Sequence, residues 1–175
     1  MAEYTSPQEE VFKQGYSPNT EHAALEIYRL LTIFLASAEF AKLRKGTGET
    51  WEAILHLEQF EDDEITRILL SSAITARVVD DREGGVLSNF AGPCGSLSET
   101  LDGEAKEVPL TLREACNKII HAKKVRFDVE KTEELQPYLT PTIYLYGSRS
   151  NGVEWKATLD IIAFAKEYVS VVCRP

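Results

Sequence analysis

The spacing at which apolar residues recur predicts several helices along the chain. After Thr20, Leu25, Tyr28 and Leu31 follow at three- and four-residue intervals, which is the spacing of a helix face. We therefore predict a helix from Thr20 to about Lys45. The same period predicts helices over residues 51–59, 62–81 and 111–123, and a closing helix over residues 160–172.

Between the last two helices the spacing changes to alternation, which is typical of strands. KVRFDVE (124–130) places Val125, Phe127 and Val129 on one face, and PTIYLYG and GVEWKATL alternate in the same way. GSRSNG, between the last two runs, has the residues of a turn and predicts an antiparallel hairpin. We therefore predict a small antiparallel sheet, an insertion over residues 124–157.

Taken together, these elements predict a mainly α fold: a bundle of four to five helices with a small antiparallel β-sheet before the last helix. Residues 1–175 are expected to form a single domain, with residues 1–19 as a loose N-terminal arm. The glycine-rich segment 81–109 is expected to be a long loop. Cys94 and Ser96 in this loop offer one alternative, a nucleophile of a small-molecule enzyme.

Charge and composition narrow the classes of function. The net charge of -9 works against coating of nucleic acid or of an anionic membrane, so contact with a polyanion has to be local. Three cysteines without a CxxC spacing favour a reducing, cytoplasmic location, and no stretch predicts a membrane span or a signal peptide. The three histidines stand apart in sequence, so neither a metal nor another cofactor is predicted.

The predicted helix over residues 111–123 carries the most promising site. Arg113, Asn117 and His121 are four residues apart and therefore form a line along one edge of the helix. A histidine can act as acid or base near neutral pH, an arginine can hold a phosphate, and an asparagine can orient either group. These are the parts of a metal-independent phosphodiester cleavage site, and Lys123, Lys124 and Arg126 just beyond them would attract RNA.

The stretch LREACNKIIHA (112–122) resembles the signature helix of HEPN-type domains, in which an arginine is followed by a polar residue and then by a histidine. Arg113, Asn117 and His121 match these three positions. The resemblance implies a mainly helical, often homodimeric domain whose paired motif helices form a metal-independent endoribonuclease site. Many members are prokaryotic or phage toxins or defence proteins, and others are inactive binding modules.

Two functions follow from these patterns. The first is a HEPN-like endoribonuclease with Arg113, Asn117 and His121 as catalytic residues and RNA as its partner. The alternative is a non-catalytic module that uses the same helix edge to hold a protein partner, with Asn117 and His121 as structural hydrogen-bonding residues.

Overall fold

The computed structural model describes residues 18–43, 59–89, 91–101, 104–132 and 137–173. The helices in these ranges are α1 (Thr20–Leu43), α2 (Glu61–Arg82), α3 (Val86–Asn89), α4 (Leu112–His121) and α5 (Ile161–Val172). The strands are β1 (Pro93–Leu101), β2 (Glu104–Thr111), β3 (Lys124–Glu130), β4 (Tyr138–Ser148) and β5 (Glu154–Asp160).

Helices α1, α2, α4 and α5 confirm four of the helices predicted from apolar spacing. Three of them begin at a capping side chain, which satisfies backbone N–H groups that have no partner within the helix. At α1, Asn19 Oδ1 accepts a hydrogen bond from the backbone N–H of His22 at 2.9 Å. The Thr111 hydroxyl accepts a hydrogen bond from the backbone N–H of Glu114, and Asp160 accepts from those of Ile162 and Ala163. The helix predicted over residues 51–59 and the arm predicted over residues 1–19 lie almost entirely outside the described residues.

The prediction of a mainly α bundle is wrong, because the strands form one five-stranded antiparallel sheet in the order β2-β1-β5-β4-β3. The protein is an α+β fold. Most of the segment 81–109, predicted to be a loop, forms α3, β1 and most of β2. Strands β3, β4 and β5 are likewise not a small insertion, because β5 also pairs with β1 and thereby joins the hairpin to the rest of the sheet.

One face of the sheet packs against the helices. Leu97, Ile143, Leu145, Ala157 and Leu159 belong to the same buried cluster as helical residues such as Leu30, Ile68 and Phe164. Alternation along the strands sends the intervening side chains to the other face. We call this other side the open face, and its residues on the three strands at the β3 edge include Lys124, Arg126, Tyr144, Tyr146, Lys156 and Thr158.

None of the helices in the described ranges combines the length and the apolar character needed to cross a lipid bilayer.

Candidate functional site

The predicted line of polar residues lies along α4, but its members have different partners. Arg113 turns toward α2, where its Nε donates a hydrogen bond to Asp80 Oδ2 at 2.9 Å. Asp80 is only 2% exposed, and its Oδ1 accepts from the backbone N–H of Leu87 at 2.8 Å. Arg113 therefore belongs to a clamp that joins α2, α3 and α4.

Asn117 is also bonded to α2. Its Oδ1 accepts a hydrogen bond from Nη1 of Arg77, whose Nη2 lies 3.8 Å from Asp81 Oδ1. The guanidinium of Arg77 is only 26% exposed, so this contact lies where the two helices pack together. Two of the three predicted catalytic residues thus have structural partners within the chain.

His121 differs from both, because its side chain is exposed at the end of α4. It lines an open cleft of about 700 Å³ between α4 and the β4–β5 connection, which we call the α4 cleft. Arg113 is not among the residues of this cleft. Its walls are formed by Glu114, Asn117, Lys118, His121, Lys123, Ser148, Arg149, Ser150 and Trp155.

Lys118 is an almost buried cation at the back of the α4 cleft, 7% exposed. Its ammonium group lies 3.7 Å from Glu99 Oε1 and 3.8 Å from Glu114 Oε2. The ammonium also stands 4.7 Å from the centre of the Trp155 ring, a cation–π distance. These contacts balance a charge that would otherwise be costly to bury.

Arg149 holds the β4–β5 connection in place beside the cleft. Its Nε and Nη2 donate to Glu99 Oε1 at 2.9 and 2.6 Å, and Nη2 also donates to Oε2 at 2.8 Å. Lys123 donates from Nζ to the Ser148 hydroxyl at 2.5 Å, and no carboxylate in the described part of the chain pairs with it. Lys123 is therefore the cleft cation that is most available to an anion.

The three predicted RNA-binding residues, Lys123, Lys124 and Arg126, line a second cavity of about 330 Å³ beside the α4 cleft. The two cavities share Lys123, Ser148 and Trp155, so they meet at the end of β4. Gly147 makes this arrangement possible, because a Cβ atom there would lie 2.2 Å from the Trp155 ring. The Trp155 indole can lie across β4 at this point only because residue 147 has no side chain.

Sequence reasoning missed Lys118, Arg149 and Trp155 as residues of the site. Glu99 connects two of them, although it lies 50 residues before Arg149. No local pattern reports such a contact. The four-residue spacing of Glu114 and Lys118 was the one available signal, and it is equally typical of an exposed helix pair.

Cys94 does not support the alternative of a nucleophile in the segment 81–109. It is fully buried, and its Sγ lies 3.5 Å from the Leu110 carbonyl oxygen. Burial raises the pKa of the Cys94 thiol to about 12, so the reactive thiolate is scarce at neutral pH. Ser96 lies in the middle of the sheet, paired with Pro109 and Thr158.

Within the described ranges, no three side chains of His, Cys, Asp or Glu come together in a way that would hold a metal ion. Comparison of the chain with protein-family models, curated proteins and solved structures finds no match. The resemblance of α4 to the HEPN signature helix stays a prediction, and the geometry described above carries the functional argument.

Proposed function

We propose that the protein binds single-stranded RNA in the α4 cleft and cleaves it without a metal ion, with His121 as the acid–base group. One observation carries the proposal: an exposed histidine lines the same cleft as Lys118 and Lys123. An imidazole beside cations is suited to a phosphodiester, because the cations hold the phosphate while the imidazole moves a proton.

The reaction would be an attack of the ribose 2′-oxygen on the neighbouring phosphorus. Neutral His121 accepts the proton of the 2′-hydroxyl, and the bond between phosphorus and the 5′-oxygen breaks. The departing oxygen takes a proton from water, so the products carry a 2′,3′-cyclic phosphate and a 5′-hydroxyl. Lys123, with no carboxylate partner in the described part of the chain, contacts the phosphate oxygens as their negative charge grows.

This proposal changes the role of two predicted residues. Arg113 stabilises the packing of α4 on α2 through Asp80, and Lys123 replaces it as the phosphate contact. Asn117 lines the cleft, but its side-chain oxygen is engaged by Arg77. Its amide nitrogen is left as the group that can face a ligand.

The test is cleavage of a 5′-labelled single-stranded RNA in the presence of EDTA. His121→Ala is expected to slow cleavage at least about 100-fold, since acid–base groups contribute that much or more. Lys123→Ala is expected to slow it about tenfold, through the loss of one phosphate contact. The matched control is His22→Ala, because His22 is exposed on α1 and its side chain keeps 63% of its surface.

Cleavage must also depend on the 2′-hydroxyl, so a strand with a single deoxyribose at the cut site should stay intact there. If the wild type leaves RNA whole, or if His121→Ala cuts as fast as the wild type, the catalytic role of His121 is wrong.

The alternative, a non-catalytic interaction module, is supported by the bonds of Arg113 and Asn117 to α2. These bonds explain the presence of both residues on α4 by a structural role, without a substrate. Binding of RNA without cleavage, or stable capture of a protein partner by the α4 edge, would favour this second function.

A homodimer also belongs to the proposal. Its support is a line of exposed apolar side chains on α1, where Leu25, Tyr28 and Leu35 keep 44%, 67% and 62% of their surface. Their spacing of three and seven residues is that of a seam between two helices. Light scattering should give twice the chain mass, and Leu35→Lys should give the monomer mass. Lys166→Glu should leave the dimer intact, because the Lys166 side chain is exposed on α5, away from this line.

The cytoplasmic location stays part of the proposal as well. Its support is that Cys94, Cys116 and Cys173 are free thiols, as expected in a reducing compartment.

A further inference from the structure

Aromatic and basic side chains alternate on the open face near the start of β3. Strand pairing puts Lys124, Tyr146 and Lys156 in one row across β3, β4 and β5. The next row along the strands contains Arg126, Tyr144 and Thr158. The two tyrosines are two residues apart on β4, which separates them by about 7 Å along the strand.

Two of the three cations in these rows contact aromatic rings, and none of the three pairs with a carboxylate of the described residues. Lys156 Nζ lies 4.5 Å from the centre of the Tyr144 ring, and the Arg126 guanidinium carbon lies 5.6 Å from that of Tyr146. Within the described ranges, Lys124, Arg126 and Lys156 form no ion pair. In a chain with a net charge of -9, three cations without ion-pair partners in the described part of the chain, on β3 and β5, the two strands that flank β4, make this part of the surface locally basic.

The open face also carries carboxylates, most of them with partners or at its far edge. Asp128 accepts hydrogen bonds from the Thr140 and Tyr144 hydroxyls at 2.6 and 3.0 Å, farther along β3. Glu107 lies at the opposite edge, on β2, in the row of Lys156 and Ser98. Glu154 is the one acid that lines the cavity beside Lys124 and Arg126. The end of the open face near Lys124 and Tyr146, which we call the basic end, therefore has, among the described residues, three cations against two acids, Glu154 in its cavity and Asp128 at the Tyr144 hydroxyl.

We propose that the basic end of the open face is a platform for single-stranded nucleic acid, on which bases stack against Tyr144 and Tyr146. Lys124, Arg126 and Lys156 contact the phosphates. Stacking on aromatic side chains, combined with cations that follow the backbone, is how proteins hold single strands without reading their sequence. That the ligand is a nucleic acid rests on the proposed function. The platform itself is a site separate from the α4 cleft.

The position of this platform gives the strand a path to the α4 cleft. The cavity beside Tyr146 shares Lys123, Ser148 and Trp155 with the cleft, so a strand that leaves the platform at the end of β4 reaches His121. Bound bases would keep the strand in register while its phosphodiester lies in the cleft. An acidic peptide fits less well, because its carboxylates would pair with the cations but it would offer no base to stack on Tyr144 and Tyr146.

The experiment measures the Kd of a fluorescein-labelled oligothymidine of about twelve nucleotides by fluorescence anisotropy. DNA has no 2′-hydroxyl, so the 2′-oxygen reaction cannot consume this probe. Tyr144→Leu and Tyr146→Leu are each expected to weaken binding about tenfold, because each removes one stacking surface. Tyr146→Phe keeps the ring and should bind nearly as the wild type does. Tyr144→Phe keeps the ring but loses the hydrogen bond to Asp128, so it should bind more tightly than Tyr144→Leu.

Phe60→Leu is the matched control, because Phe60 is an exposed aromatic residue just before α2 and its loss should leave the Kd unchanged. Equal affinity for the same sequence as a duplex, or equal displacement by polyglutamate, would show that charge alone attracts the probe and would overturn the platform. So would leucine variants that bind like the wild type.

The platform and the catalytic role of His121 can be disproved independently of each other. Oligothymidine binding that depends on both rings, with RNA left uncut, would retain the platform and remove the catalytic role of His121. RNA cleavage that needs His121 but is unchanged in both tyrosine variants would retain the catalytic role of His121 and remove the platform.

Discussion

Gly95→Ala is expected to lower the free energy of unfolding by about 4 kcal/mol, a large fraction of the roughly 5 to 15 kcal/mol that stabilises a domain. Gly95 has a φ of +149°, a conformation that side chains rarely adopt, and a Cβ built there lies 1.9 Å from the Thr158 carbonyl oxygen. That oxygen belongs to β5, the strand that pairs with β1 at the centre of the sheet. The methyl group would therefore force the two halves of the sheet apart.

Urea denaturation followed by circular dichroism gives the free energy of unfolding. The matched control is Gly85→Ala, because Gly85 also has a positive φ, +89°, but a Cβ there meets nothing within 4 Å. It should cost about 1 kcal/mol, from backbone strain alone. Equal losses in the two variants would mean that β1 and β5 do not approach each other as described.

The same residue explains why the fold class was not predictable from sequence. The stretch from Pro93 to Leu101 has only one large aliphatic side chain in its interior, Leu97, and a bulge at Gly95 breaks the alternation that identifies a strand. Its glycines and serines are also typical of a loop. By contrast, β5 alternates throughout, β3 alternates as far as Phe127, and the long helices keep a regular apolar period, so these elements were predictable from local pattern.

The candidate site was likewise predictable only as far as a local sequence pattern describes it. Periodicity alone puts Arg113, Asn117 and His121 on one edge of α4. Their partners come from other elements, Asp80 and Arg77 from α2, at separations of 33 and 40 residues. Only the packing of α4 on α2 decides that Arg113 and Asn117 turn inward while His121 stays exposed, and no local pattern encodes that packing.

The second large effect on the free energy of unfolding is expected for Asp80→Ala, because Asp80 is the residue that holds Arg113 in its structural position. Asp80 is 2% exposed and accepts from both Arg113 and the Leu87 backbone N–H. Its removal is expected to lower the free energy of unfolding by about 3 kcal/mol, because a buried N–H loses its acceptor and a charged hydrogen bond is lost. Arg113→Ala should cost about 2 kcal/mol, since Asp80 then stays buried without its cation.

A double-mutant cycle measured by urea denaturation separates the two roles of Arg113. If Arg113 acts through Asp80, the double variant loses about 1 to 2 kcal/mol less than the two single losses added together, as expected for residues in direct contact. RNA cleavage measured well below the melting temperature should then be similar in Arg113→Ala and Asp80→Ala. If instead Arg113→Ala abolishes cleavage while Asp80→Ala, although less stable, keeps it, the guanidinium acts on the phosphate. The contact with Asp80 would then be the position of Arg113 in the absence of RNA, which it leaves when RNA binds. Arg113 would act beside His121 as a catalytic residue, as the sequence predicted.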